Sequence, residues 1–107
     1  MKLITAAQLF KALADRTRLR IVALLRRREM TGTELADLIR APRGRIARHL
    51  RYLHKSWLVT TRRDGGETYY ALRSSEHRLQ RELTKRIIPL LEDVEQVRRD
   101  LVKLERR

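Results

Sequence analysis

The sequence predicts a mainly α-helical domain carrying one small β-hairpin, and three observations predict it. Apolar residues recur at helical spacing over most of the 107 residues. One window, residues 58–72, instead holds β-branched and aromatic runs on either side of Asp64-Gly65-Gly66, a hairpin signal. With only four glycines and two prolines, these residues punctuate the elements. A chain of this size makes a single domain, 1–107, which buries about two thirds of its unfolded surface and gains from self-association.

The elements follow in order. Ala6, Leu9, Phe10 and Leu13 fall at i, i+3, i+4 and i+7, so a first amphipathic helix is expected over 4–14. Asp15 is placed to cap a second helix, whose run Leu19, Ile21, Val22, Ala23, Leu24, Leu25 is apolar nearly all round, as in a helix at the centre of a small core. Thr31-Gly32-Thr33-Glu34 matches a capping box, so a third helix starts near Gly32 with Leu35, Leu38 and Ile39 turned inward. Pro42 disfavours a helical residue before it and suits the first turn of a new helix, so two helices joined by a short turn occupy 32–55. In the second of these, from about Pro42 to Lys55, Ile46, Leu50 and Leu53 share one face. The opposite face collects Gly44, Arg48, Arg51 and Lys55, with Arg45 on its flank.

The hairpin over 58–72 places Arg62 and Arg63 near its tip, and Trp57 is expected to pack into the core at the helix end. From residue 75 to 106, Leu83, Ile87, Leu90, Val94, Val97, Leu101 and Leu104 are spaced alternately by four and three, a heptad seam that predicts one long C-terminal helix used for dimerisation. The first helix, through Leu9, is expected beside it in the interface. Pro89 lies within the seam and predicts a kink, or a break before Ile88.

Charge narrows the function. Lys and Arg number 26 against 13 Asp and Glu, a formal net charge of +13 that attracts polyanions. Arginine bias alone would scatter that charge. Residues 38–63 instead hold Arg40, Arg43, Arg45, Arg48, Arg51, Lys55, Arg62 and Arg63 with no acid among them, whereas 75–107 carry nine basic and seven acidic residues. The acid-free stretch has the character of a footprint for phosphates.

A helix, a short turn, a cationic helix and a two-stranded hairpin with arginines at its tip make the layout of a winged helix-turn-helix, in which the helix fits the major groove of duplex DNA and the hairpin reaches flanking backbone. Arg43, Arg45 and Arg48 are the candidates for base contacts, with Gly44, Ala47 and His49 beside them. Arg51, Lys55, Arg62 and Arg63 are candidates for backbone contacts, which position a protein without reading sequence.

The residues Phe10-Lys-Ala-Leu-Ala-Asp15, Thr17-Arg-Leu-Arg-Ile21, Glu34-Leu-Ala-Asp-Leu38, Ile46-Ala-Arg-His-Leu50, Leu58-Val59 and Tyr69-Tyr-Ala-Leu72 resemble the ArsR/SmtB repressors, nearly continuously over 7–72. The resemblance implies a homodimer that binds an inverted-repeat operator and leaves it when an effector binds; the sequence does not identify that effector. Three departures stand out. Where the family's best-known metal site has cysteines, this chain has Thr31 and Thr33, which offer no soft ligand. Of a second family site, only Glu76 and His77 resemble the first half, and the position eleven residues on is Ile88. In the recognition helix the family's polar stretch is replaced by Pro42-Arg43-Gly44-Arg45, and Trp57 stands where a glycine is usual.

Other chemistries find little support. The chain has no cysteine, so disulfides, thiolate metal sites and thiol nucleophiles are excluded. Neither His54 nor His77 has a second histidine at i+3 or i+4, there is no glycine-rich phosphate loop, and Glu92-Asp93 sit among neighbouring charges. No enzyme, metal or cofactor is therefore expected. No opening run has signal-peptide length and none approaches the roughly 18 apolar residues of a membrane span, so a soluble cytoplasmic protein without a membrane partner is expected. The rival readings are a non-specific DNA- or RNA-binding winged-helix protein of chromatin or the ribosome, and a coiled-coil adaptor.

Overall fold

A computed structural model describes residues 1–107. In chain order the elements are α1 (Leu3–Leu13), α2 (Arg16–Arg27), β1 (Met30–Thr31), α3 (Gly32–Ile39), α4 (Arg43–Lys55), β2 (Val59–Asp64), β3 (Glu67–Leu72), α5 (Arg78–Glu82), a π-helical turn (Leu83–Ile87), 3-10 turns (Ile88–Asp93) and α6 (Glu95–Glu105). No helix is long and apolar enough to cross a membrane.

The helix starts follow the expected local chemistry. Asp15 accepts from the Arg18 amide at 3.0 Å and caps α2. The Thr31 hydroxyl accepts from the Glu34 amide at 3.1 Å while the Glu34 carboxylate accepts from the Thr31 amide at 3.1 Å, which completes the capping box of α3. Arg40 ends α3 in the left-handed region at φ 60°, and Pro42 leads directly into α4. The hairpin closes through Gly65 and Gly66, both at positive φ, with Asp64 opposite Glu67 at the tip and Val59 opposite Leu72 at the base. A short strand the sequence did not announce, β1, pairs Met30 with Tyr70 and Thr31 with Tyr69, so the sheet order is β1-β3-β2.

At the centre lies α2, with Ile21, Val22, Ala23, Leu24 and Leu25 all buried. Leu35 and Leu38 of α3, Ile46, Leu50 and Leu53 of α4, and Met30 and Leu58 close around it. Arg18 ties three helices together: its Nε donates to the Ala12 carbonyl at 2.7 Å, and its guanidinium lies 4.1 Å from the centre of the Tyr52 ring.

The C-terminal third departs from the expected single helix over 75–106. Pro89 has no N–H for the Lys85 carbonyl and its ring crowds that group, so the helix widens into a π turn just before the proline and continues as 3-10 turns after it. Val94 then takes an extended conformation (φ −81°, ψ 126°) and the chain turns back as α6. A continuous helix of about 30 residues would reach about 45 Å; the whole domain measures 38 Å along its longest axis.

The heptad seam is consequently divided. Leu83, Val97, Leu101 and Leu104 are buried within the protomer's own core, and so is Leu9 of α1, which corrects their assignment to a dimer interface. Ile87, Leu90 and Val94 remain exposed, as do Leu3, Ile4 and Phe10 of α1. What draws α6 onto α2 and α3 is partly polar. Asp100, with its side chain only 1% exposed, receives Arg20 Nε at 2.8 Å and Nη2 at 2.9 Å, while Lys103 Nζ donates to the Leu38 carbonyl at 2.6 Å.

Candidate nucleic-acid interface

One face of α4 is anchored and the other is free. Ile46, Leu50 and Leu53 are buried, while Arg43, Gly44, Arg45, Arg48, Arg51 and Lys55 are exposed and Ala47 is half-buried. The side chains of Arg43, Arg45, Arg48, Arg51 and Lys55 make no intramolecular hydrogen bond or ion pair. A Cβ at Gly44 would meet nothing within 4 Å, so the backbone of the first turn lies open to an approaching surface. Sequence reasoning placed Gly44, Arg48, Arg51 and Lys55, with Arg45 on the flank, on the side opposite Ile46, Leu50 and Leu53, and all five are exposed in the structure.

His49 sits differently. Its side chain is only 19% exposed and turns toward the start of α2, with Nδ1 3.9 Å from Asp15 Oδ1 and 3.4 Å from Arg18 Nη1. Burial pushes its pKa below the usual histidine value; Asp15 opposes the shift, and Arg18, Arg48 and Arg45 add to it. Asp15 keeps its carboxyl below the usual carboxylate range: burial works against this, and the Arg18 amide, the Arg18 guanidinium and His49 outweigh it. His49 is thus a polar joint between α2 and α4, and Arg48 beside it is the free cation.

The two wing arginines point to opposite faces of the hairpin. Arg63 donates to Thr68 Oγ1 at 3.1 Å and to the Gly66 carbonyl at 3.4 Å, bracing the tip. Arg62 lies over the Tyr69 ring, 4.5 Å from its centre, and its Nε reaches both Glu29 carboxylate oxygens at 3.0 and 2.9 Å, with Asp64 at 3.5 Å. Hydrogen bonding to Arg62 holds the Glu29 carboxyl below its usual range and raises the Arg62 guanidinium in turn. Arg63 is therefore the wing cation nearer to free, and the pairing of Arg62 is something the sequence did not signal.

Trp57 also corrects its expectation. It is 57% exposed at φ 67°, the left-handed conformation for which glycine is the usual residue, and its ring faces the Arg73 guanidinium at 4.8 Å. Thr31, at one position of the resemblance's metal site, is committed to the α3 cap, and Glu76 and His77 stand exposed before α5. No cluster of three His, Asp or Glu side chains that could hold a metal is formed.

A buried α3–turn–α4 unit, a cationic outer face on α4 and a glycine-tipped hairpin beside it define a winged helix-turn-helix domain, the architecture that places one helix in the major groove of DNA. The profile of the bacterial regulatory proteins of the arsR family matches residues 15–61. The transcriptional activator HlyU of Vibrio cholerae is 32% identical over 82 residues, 77% of this chain and 76% of HlyU. The chain belongs to the ArsR family. KmtR, a helix-turn-helix transcriptional regulator of Mycobacterium tuberculosis, is 40% identical over 70 residues, 65% of this chain, which spans about half (53%) of the length of KmtR. Among solved structures, HlyU from Vibrio cholerae superposes with a TM-score of 0.72 at 28% identity, over 90% of this chain and 99% of HlyU. A homodimeric winged helix-turn-helix DNA-binding domain from Mycobacterium bovis, a possible ArsR-family regulator, gives 0.71 at 28% identity, over 88% of this chain and 81% of that one.

Proposed function

We propose that the protein is a cytoplasmic homodimeric repressor that binds an inverted-repeat operator in double-stranded DNA, with α4 in the major groove and the wing on flanking backbone. One observation carries this reading: Arg45, Arg48, Arg51 and Lys55 stand unpaired on the outer face of α4, with Arg43 exposed at its first turn, while the inner face is locked into the core. Arg43, Arg45 and Arg48 lie toward the N-terminal half, the part of a recognition helix that meets base edges, whereas Arg51, Lys55 and Arg63 take phosphates. Selection of bound duplexes from a random pool tests it. Two related half-sites about one helical turn apart are expected; a pool without preferred sequence would leave a non-specific binder.

The dimer forms on the exposed apolar residues the core leaves over, Ile87, Leu90 and Val94 together with Leu3 and Ile4 of α1. This reading is supported by the homodimeric state of the Mycobacterium bovis neighbour. Leu90→Glu places a carboxylate in the middle of that strip, facing its symmetry mate across a two-fold axis. Sedimentation is expected to show a monomer, and operator affinity to fall with it; an intact dimer would move the interface elsewhere. Regulation does not use thiolate metal binding at Thr31 and Thr33, since the chain has no cysteine.

A further inference from the structure

Arg73, just past the end of β3, is a half-buried cation without a counter-ion. Its backbone amide donates to the Leu58 carbonyl at 2.9 Å and pins the residue at the base of the wing. Its Nε is buried and has no hydrogen-bond partner, and no carboxylate comes within ion-pair distance. Beside it a small cleft of about 80 Å³ is lined by Arg73, Ser74, Ser75, Arg81, Thr84 and Lys85, three cations and three hydroxyls with no acidic and no apolar residue. Nearby acids are committed or turned elsewhere: Glu82 pairs with Arg86 at 2.7 Å, and Glu76 lines the neighbouring larger cleft beside Trp57 and His77. Arg81 donates to the Glu76 carbonyl at 3.0 Å, which leaves its remaining donors available.

A half-buried guanidinium is stable when a charge-assisted acceptor meets it, and hydroxyls flanking several cations are the donor set that oxyanions use. We propose that this cleft binds a phosphate-type oxyanion, either free phosphate or the phosphate group of a small phosphorylated molecule whose remainder occupies the larger cleft lined by Trp57 and His77. DNA backbone is not the natural occupant. The cleft adjoins the base of the hairpin, where Val59 faces Leu72, and about six residues of strand, ~20 Å, separate it from the Gly65-Gly66 tip.

Trp57 is the only tryptophan of the chain and stacks against Arg73, so its emission reports on the site. The full-length protein is titrated with inorganic phosphate and separately with glycerol phosphate, each against chloride at equal ionic strength. A saturable change in Trp57 emission is expected, weakened by about tenfold in Arg81→Gln and in Lys85→Gln, each removing one charge-assisted contact. Arg45→Gln with Arg48→Gln is expected to leave it unchanged. Tighter binding of the ester assigns the larger cleft to the rest of the ligand, and equal affinities assign free phosphate. The proposal is overturned by an emission change no different from that in chloride, or by one that survives Arg81→Gln and Lys85→Gln and disappears with the α4 substitutions. Both cleft variants replace side chains outside the core, so their folding is checked by unchanged circular dichroism.

Discussion

Arg45→Ala and Arg48→Ala are each expected to weaken operator binding by about 1–3 kcal/mol and to relax the base preference where the lost side chain read it. Both guanidiniums are exposed, neither holds an intramolecular partner, and the helix that carries them is fixed by the buried Ile46, Leu50 and Leu53. No internal ion pair has to break before they contact DNA, so their whole interaction appears in affinity. Lys55→Ala, by contrast, is expected to lower affinity about equally for all sequences and to reduce the slope of log K against log salt by about one. Arg62→Ala is expected to cost less than either α4 arginine, because Arg62 must first leave Glu29. Binding titrations at several salt concentrations, on the selected operator and on a scrambled duplex, separate these outcomes. Equal losses for Arg45, Arg48, Arg51 and Lys55 on both duplexes would mean that no side chain reads sequence.

Asp100→Ala is expected to destabilise the domain by about 2–3 kcal/mol, toward the low end for a broken buried ion pair because Arg20 keeps partial access to water. The Asp100 side chain is 1% exposed and that of Arg20 23%. Removing the carboxylate strands Arg20 between α2 and α6, with only the Ile39 carbonyl at 3.5 Å in reach, and leaves Gln96 Nε2 without the acceptor it now has at 3.0 Å. Replacing both members, Arg20→Leu with Asp100→Leu, is expected to cost less than Asp100→Ala alone, since no charge is then left unpaired. Denaturant unfolding of the variants measures both. A double variant as unstable as the single one would show that the loss comes from the Arg20–Asp100 interaction itself and not from the charge left unpaired.

Much of the DNA-facing half was legible because its signals are local. The Thr31–Glu34 box, the Asp15 cap and the Gly65-Gly66 turn each act between residues a few positions apart, so reading the chain suffices to place α2, α3 and the hairpin. The outer face of α4 was legible for a similar reason: helical periodicity of about 100° per residue assigns Arg48, Arg51 and Lys55 to the side opposite Leu50 whatever the helix packs against. The pairing of Arg62 was not, since Glu29 lies 33 positions away and reaches it only because the short strand β1 joins the sheet beside β3. Trp57 shows the same limit from the other side. An aromatic residue after an amphipathic helix signals burial, but the backbone there adopts φ 67° and turns the indole outward onto Arg73.

Local chemistry alone thus set the helix starts, the turn and the cationic face, while the fate of the last third was decided by tertiary structure. A heptad stripe shows that one side of a segment will be buried without showing what buries it. Here α2 and α3 leave apolar surface and the Arg20 guanidinium uncovered, and Pro89 with the extended Val94 lets the chain fold back to cover them. Val97, Leu101 and Leu104 with Asp100 go inward, and Ile87, Leu90 and Val94 remain at the surface.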